Sequence, residues 1–388
     1  MRIVVMDTGL RSQTGHHDHF VRGLSHTLGE LGIRFDCLAA SNVSPELQRD
    51  VGAVPLFRAH HYTWLSSDPY DRLVEDFRRR VQMFEADLER QTIGALTDDD
   101  MILMPTAASA EIFSLLRWCK RRGIRPKIAC IVHQQSQLAN LDLVTWGQLL
   151  ALWRDVYRQA KDWPEDRLWI GGMTGSLARR LEPVLDRRVH AVESIQWVKS
   201  QPRPPTRPPG QRMRVGLLGA QRYDKGDALI RDLIQEVQLN PTPIHLVIQA
   251  PGQSLEPQTE GSAEIEHLTG WTPDDALERL IGELDLIALP YVRSAYRQSG
   301  LFALAAPLGR PMVVPSRTWM AERITSGFAA GVIYDGERPQ DVLEAILKAQ
   351  DNLEALTALA LERAGPWRAA YSGDGLVRSL VKWFTSPG

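Results

Sequence analysis

Two stretches of the chain offer helix-start backbone in a way that suits a pyrophosphate, the first of them beside two cations. In residues 215–229 (VGLLGAQRYDKGDAL) an apolar run ends at Gly219, a short polar loop carries Arg222 and Lys225, and Gly226 and Asp227 open an amphipathic run. Two cations beside the unpaired N–H groups of a helix start form a natural diphosphate pocket. Without such a ligand they are two solvated basic residues in an ordinary strand–helix turn. In residues 268–314, Thr272, Pro273, Asp274 and Asp275 make a good helix start, and the next apolar run ends at Pro290 and Tyr291. A loop containing Tyr296 then delivers Ser299 and Gly300 to another helix start. Glycine permits close backbone approach, so the N–H groups of Ser299, Gly300 and Leu301 are candidates for phosphate or sugar hydroxyls. Serine in that place is also a common N-cap.

The first half offers histidines. Residues 7–19 (DTGLRSQTGHHDH) follow an apolar run, and Gly15 there allows backbone approach while His16 and His17 can contact a ligand. His16, His17, Asp18 and His19 have the donor types for zinc or iron, but adjacent residues rarely face one ion and no separated fourth ligand is evident. The expectation is a polar loop and no metal. His133 ends the run 127–132, where a histidine can hydrogen-bond a ligand or be satisfied by neighbouring backbone. His60 and His61 are weaker candidates.

Elements that position these residues can be read from hydropathy. Buried strands are predicted at 3–6, 35–38, 54–57, 101–104, 128–132, 168–170 and 189–192, with helices at 15–32, 111–122 and 141–161. Residues 200–210 (SQPRPPTRPPG) hold five prolines and no large apolar residue, which reads as a semi-stiff linker, or else a surface loop within one domain. Beyond it strands are predicted at 213–218, 244–248, 265–268, 284–289, 312–314 and 332–334. Helices are expected at 227–237, 274–283, 300–308 and 339–349, and a last amphipathic helix at 376–384. Strand–helix alternation implies parallel sheets covered on both faces, with ligands at the carboxyl ends of the strands.

Across residues 211–335 the chain resembles the family-four, retaining glycosyltransferases of the GT-B fold. The carrying residues are Gly219, Arg222 and Lys225-Gly226, then Gly270-Trp271, then Asp285 to Pro290, then Ser299-Gly300, Ala306, Gly309-Arg310-Pro311 and Gly331. The resemblance implies an α/β GT-B fold, two Rossmann-like domains facing a central cleft. The domains would be an acceptor-binding domain at 1–199, the linker at 200–210, a nucleotide-sugar-binding domain at 211–370, and a C-terminal helix at 371–388 packing back on the first. It implies that Arg222 and Lys225 grip the donor diphosphate and that backbone around Trp271 holds the base. Tyr296 and Ser299 to Leu301 would meet diphosphate or sugar. His133 would act beside the donor sugar, Gly15 would approach the donor, and His16 and His17 would lie toward the acceptor. Many members carry two glutamates eight positions apart; aligning the glycines puts those positions at Arg297 and Ala305, as in a subset with a Ser-Gly loop.

The expected activity is metal-independent, cofactor-free sugar transfer from a nucleotide-diphosphate donor to a saccharide, lipid-linked or other acceptor. The missing glutamates leave a second reading, a degenerate GT-B protein that binds carbohydrate or a partner. No convincing G-x-G-x-x-G follows the first strand, which argues against a dinucleotide oxidoreductase. At 388 residues, 44% apolar and 24% charged, the chain is an ordinary globular protein of two domains. A formal charge of −2 gives no reason to expect nucleic-acid wrapping. The three cysteines, Cys37, Cys119 and Cys130, have no paired spacing, and no apolar run is long enough to cross a bilayer. A cytoplasmic protein is expected. Basic residues Arg117, Lys120, Arg121, Arg122, Arg125 and Lys127 suit either a solvated helix end or peripheral contact with anionic lipid at the inner membrane face.

Overall fold

Each β-rich run marked by the hydropathy pattern forms a strand, and every strand pairing is parallel. The computed structural model describes residues 2–13, 15–60, 65–66, 72–133, 143–192, 196–208, 210–219, 225–240, 242–249, 264–268, 270, 272, 274–291, 293 and 298–386. The chain divides into two compact units, Met1–Trp197 with Gly373–Gly388, and Val198–Ser372.

The first unit holds β1 (Arg2–Asp7), β2 (Phe35–Ala40), β3 (Ala53–Phe57), β4 (Asp100–Ala107), β5 (Lys127–Val132), β6 (Leu168–Gly172) and β7 (Val189–Ala191). They lie in the order β3-β2-β1-β4-β5-β6-β7. Sheet order reverses between β1 and β4, so the carboxyl ends of these two strands flank a switch point, where ligands of open α/β sheets bind. Helices α1 (His16–Glu30), α2 (Pro45–Val51), α3 (Arg72–Leu88), α4 (Ser109–Arg122), α5 (Leu143–Ala160) and α6 (Gly175–Leu185) make the connections. The strands are apolar through their middles because both faces are covered: Val4, Met6 and Ile102 face one core, Ile3, Val5 and Leu103 the other.

The second unit repeats the plan with β8 (Met213–Leu217), α7 (Asp227–Leu239), β9 (Ile244–Gln249), β10 (Glu264–Leu268), α8 (Asp274–Glu283), β11 (Leu286–Ala288) and α9 (Gly300–Ala305). There follow β12 (Met312–Pro315), α10 (Trp319–Thr325), β13 (Gly331–Tyr334), α11 (Pro339–Asp351) and α12 (Leu353–Tyr371). The order is β10-β9-β8-β11-β12-β13, with the reversal between β8 and β11.

The final helix, α13 (Gly373–Thr385), belongs to the first unit. Its Val377, Leu380 and Phe384 join Phe20, Leu24 and Leu28 of α1 in one apolar cluster. Trp197 is wedged beside it, where a Cβ on Gly23 or Gly373 would fall 2.2 or 2.3 Å from the indole. Lys127 Nζ donates to the carbonyls of Phe384 (2.9 Å) and Ser386 (2.7 Å), satisfying the open end of the helix. The proline-rich stretch forms no helix or strand among its described residues and is tied down within the second unit. Ser200 N–H donates to Glu278 at 3.0 Å, Arg310 to the Arg203 carbonyl, and Arg207 pairs with Asp285 at 3.6 Å.

Candidate active site

In the first unit the switch point is built around Asp7, the last residue of β1, which is fully buried. Its carboxylate accepts from the Gly9 N–H (3.0 Å) and from the hydroxyl of Thr106 on neighbouring β4 (3.1 Å), and bonds His17 Nδ1 at 2.9 Å. Burial by itself would raise the Asp7 carboxyl, but His17, the Gly9 amide and Thr106 together hold it below its ordinary value. Gly9 has to be small, because a Cβ there would lie 2.2 Å from the His17 ring.

His17 sits in the first turn of α1, and its neighbour His16 links it to a third ring. The His16 and His17 centroids are 4.1 Å apart, and His16 stacks on His133 at 5.2 Å with 11° between the planes. His133 follows β5, with its N–H on the Ala107 carbonyl at 3.2 Å. Burial first, then the positive potential of His16 and His17, pushes the His133 pKa well down, so near neutral pH this imidazole is uncharged and can both donate and accept. Gly15 caps α1 with φ +83° and has open space where a side chain would project.

These positions refine the expectations from sequence. His16 and His133 do come together, at the carboxyl edge of one sheet. His17 is only 7% exposed and has a carboxylate partner that the spacing did not reveal. Asp18 turns instead to Arg22 (2.7 Å), and His19 Nε2 accepts the Trp197 N–H (3.0 Å), so this run does not gather around one point. Among the described residues, no group of three or more His, Cys, Asp or Glu could hold a metal ion.

In the second unit, Gly226 and Pro290 meet across the switch point between β8 and β11. Gly226 has φ +73°, and a Cβ there would lie 1.9 Å from the Pro290 carbonyl oxygen. That close approach brings Lys225 Nζ to 3.8 Å from the centre of the Tyr291 ring, a cation–π contact. Ser299 is 1% exposed and its Oγ accepts the Phe302 N–H at 3.2 Å, so its side chain is the N-cap of α9. Gly300, next to it, has open space where a side chain would be. Leu301 is in the apolar cluster with Phe302 and Trp319, which leaves its backbone as its polar resource. Ala305 is fully buried there too. Arg222, Trp271, Tyr296 and Arg297 lie outside the described residues.

The basic run of α4 is matched by acids. Arg117 and Arg121 share Glu85 at 2.5 and 2.8 Å, Lys120 reaches Asp162 at 3.2 Å, and Arg122 pairs with Glu89. Among the described residues, no helix is long and apolar enough to cross a membrane.

No protein-family model matches the sequence, and no curated protein matches it. Solved structures do match along the whole chain. A UDP-forming α,α-trehalose-phosphate synthase from Burkholderia xenovorans has a TM-score of 0.66 at 12% identity, covering 99% of this chain and 98% of that one. HepE of Anabaena in complex with UDP has a TM-score of 0.63 at 9% identity, with 100% of each chain covered. A sucrose-phosphate synthase from Thermosynechococcus elongatus has 0.63 at 10%, covering 99% and 98%. With two Rossmann-like sheets and neighbours of this kind over the full length, the fold is GT-B.

Proposed function

We propose that this chain is a metal-independent glycosyltransferase that moves a sugar from a uridine-diphosphate donor to a saccharide acceptor, with retention of configuration. The observation that carries it is the contact of Gly226 with Pro290 across the β8–β11 switch point. It sets Lys225 and the start of α7 beside Pro290 and Tyr291, just after β11. UDP is the nucleotide named for several full-length structural neighbours, among them HepE and the trehalose-phosphate synthase. Retention, and the family-four assignment behind it, rest on the resemblance in sequence.

Sugar transfer breaks the anomeric C–O bond, and negative charge builds on the departing β-phosphate. Lys225 and Arg222 would neutralise that charge, with N–H groups at the α7 and α9 starts as further donors. Cations held by the protein would thus take the place of a metal ion. Trp271 backbone would meet the base, and Tyr296, Gly300 and Leu301 the diphosphate or sugar. In the first unit, neutral His133 and its partner His16 offer hydrogen bonds to sugar hydroxyls, Gly15 offers unobstructed backbone, and His17 supports His16 from beneath. A lipid-linked acceptor finds less support than a free saccharide, because the basic end of α4 is paired with Glu85, Glu89 and Asp162.

Calorimetry with UDP and GDP tests the reading, followed by turnover of UDP-glucose in the presence of EDTA. UDP binding and release of UDP in EDTA are expected. Complete silence toward both nucleotides would overturn it. The second reading, a degenerate GT-B protein that binds carbohydrate or a partner, draws on the apolar, buried Ala305 at a position where many family-four glycosyltransferases carry glutamate; silence toward both nucleotides, or UDP binding with no UDP released from any donor, favours it.

A further inference from the structure

At the carboxyl end of β9, Gln249 is 4% exposed and its carboxamide is used on both sides. Oε1 accepts the Gly219 N–H at 2.9 Å, while Nε2 donates to Thr272 Oγ1 at 3.0 Å and, more weakly, to the Gly270 carbonyl at 3.5 Å. The orientation of the amide is fixed by chemistry, since the Gly219 amide can only donate and the Gly270 carbonyl can only accept.

Two of the residues it joins are glycines in the left-handed region: Gly219, at φ +96°, follows β8, and Gly270, at φ +83°, follows β10. The β-ladders bind β8 to β9 and β9 to β10, and the register between β9 and β10 ends at Leu268 and Gln249. Past that point one buried side chain on the middle strand connects Gly219, after β8, with Gly270 and Thr272, after β10.

We propose that Gln249 is a positioning residue that sets the spacing of Gly219, on the side of Lys225, from Gly270 and Thr272, so that one nucleoside diphosphate can engage a pyrophosphate site on the first side and a base site on the second. This rests on the function proposed above and adds a residue to it. Gln249 does not itself need to touch the ligand. Its effect is on how well the β-phosphate adds to the binding of the base and α-phosphate, because two rigidly spaced half-sites bind a linked ligand better than two independent ones.

The test compares UDP with UMP by calorimetry on the full chain. Gln249→Met keeps the length and bulk of the side chain and removes its hydrogen bonds. The expected result is that the UDP-over-UMP affinity ratio falls about tenfold while UMP affinity stays within about twofold, as befits the loss of one or two buried hydrogen bonds. Thr272→Val should lower the ratio in the same direction by less, and Thr272→Ser should restore it, so the proposal can be judged even if Gln249→Met fails to fold. A general loss of structure would weaken UMP and UDP alike. Wild-type binding of UDP with an unchanged ratio in Gln249→Met and Thr272→Val overturns this inference alone. Wild-type silence toward UDP, UMP and GDP overturns the functional reading, and this inference with it.

Discussion

Lys225 Nζ stands 3.8 Å above the centre of the Tyr291 ring, so the cation proposed to meet the leaving pyrophosphate is already held in place by an aromatic face. The ring replaces part of the water shell of the ammonium without neutralising its charge, which leaves the charge available to an arriving anion. Lys225→Met should therefore lower kcat with UDP-glucose about a hundredfold, the scale of losing one preorganised donor to developing charge. Tyr291→Leu keeps the cation and removes only its support, worth about 1 kcal/mol, so a loss of about fivefold is expected. Equal damage from both substitutions would mean that Tyr291 acts in some other way.

Asp7 is the hub of the histidine cluster, and removing it takes one hydrogen-bond partner from three groups at once: His17 Nδ1, the Gly9 N–H and the Thr106 hydroxyl. Asp7→Ala is expected to cost about 3 kcal/mol in urea unfolding, in the range found when a buried pair loses one member. Asp7→Asn keeps an acceptor for Gly9 and Thr106 and should cost less. A loss under about 1 kcal/mol for Asp7→Ala would show that the cluster contributes little to the fold.

The strands of both sheets were legible in the sequence, most of them because strands covered on two faces are written as apolar runs such as Ile3 to Met6 and Ile128 to Val132. Several helices with a clean stripe and a signalled start were legible as well, though α6, capped by Thr174, was not among them; α8 was expected from Thr272 to Asp275 and spans Asp274–Glu283. The helix α12 was not, since Leu353–Tyr371 is rich in alanine all round and carries Gly365 and Pro366 inside it, so no face stands out. Short α2 and α10 rest on the side-chain caps Ser44 and Thr318, which look like ordinary loop residues until the backbone is placed. At the candidate site, His16, His133 and Lys225 could be picked by residue type and place. Asp7, Thr106 and Gln249 could not, because their partners come from neighbouring strands and turns, and one sequence does not reveal which strands become neighbours.

Gly226 makes the switch point of the second unit possible in two ways. Its φ of +73° is a conformation that side chains adopt at a cost, and the missing Cβ is what lets the Pro290 carbonyl approach. Gly226→Ala should therefore destabilise the protein by about 2 kcal/mol or more, summing backbone strain with displacement of β11's following loop. It should also weaken UDP, because Lys225 and Tyr291 would be forced apart. Gly300→Ala makes a useful contrast: its surroundings are open, so stability should change by less than about 1 kcal/mol. Should the two substitutions cost the same, the close approach at Pro290 is not what keeps residue 226 a glycine.

His60 and His133 tie stability to pH in a definite direction. Burial is the main cause for both; Arg11, Arg80 and His17 add positive potential at His60, pushing it to about 4, and His16 and His17 do so at His133. Well above pH about 6.5 neither form of the chain protonates them. As pH falls through about 6.5 the unfolded chain takes up a proton on each while the folded chain refuses it, so the unfolded state gains. Stability should thus fall between pH about 6.5 and about 4, with a slope of up to about 1.4 kcal/mol per pH unit for each histidine. Below that window His60 is charged in both states and its contribution levels off. Carboxylates held low, such as Asp7, make their own loss at more acidic pH still. Urea unfolding at pH 7, 6 and 5 checks this: His60→Gln and His133→Gln should each flatten the decline, and the double variant should flatten it most. If wild type and the double variant decline in parallel, these two imidazoles are not the groups that the folded chain keeps neutral.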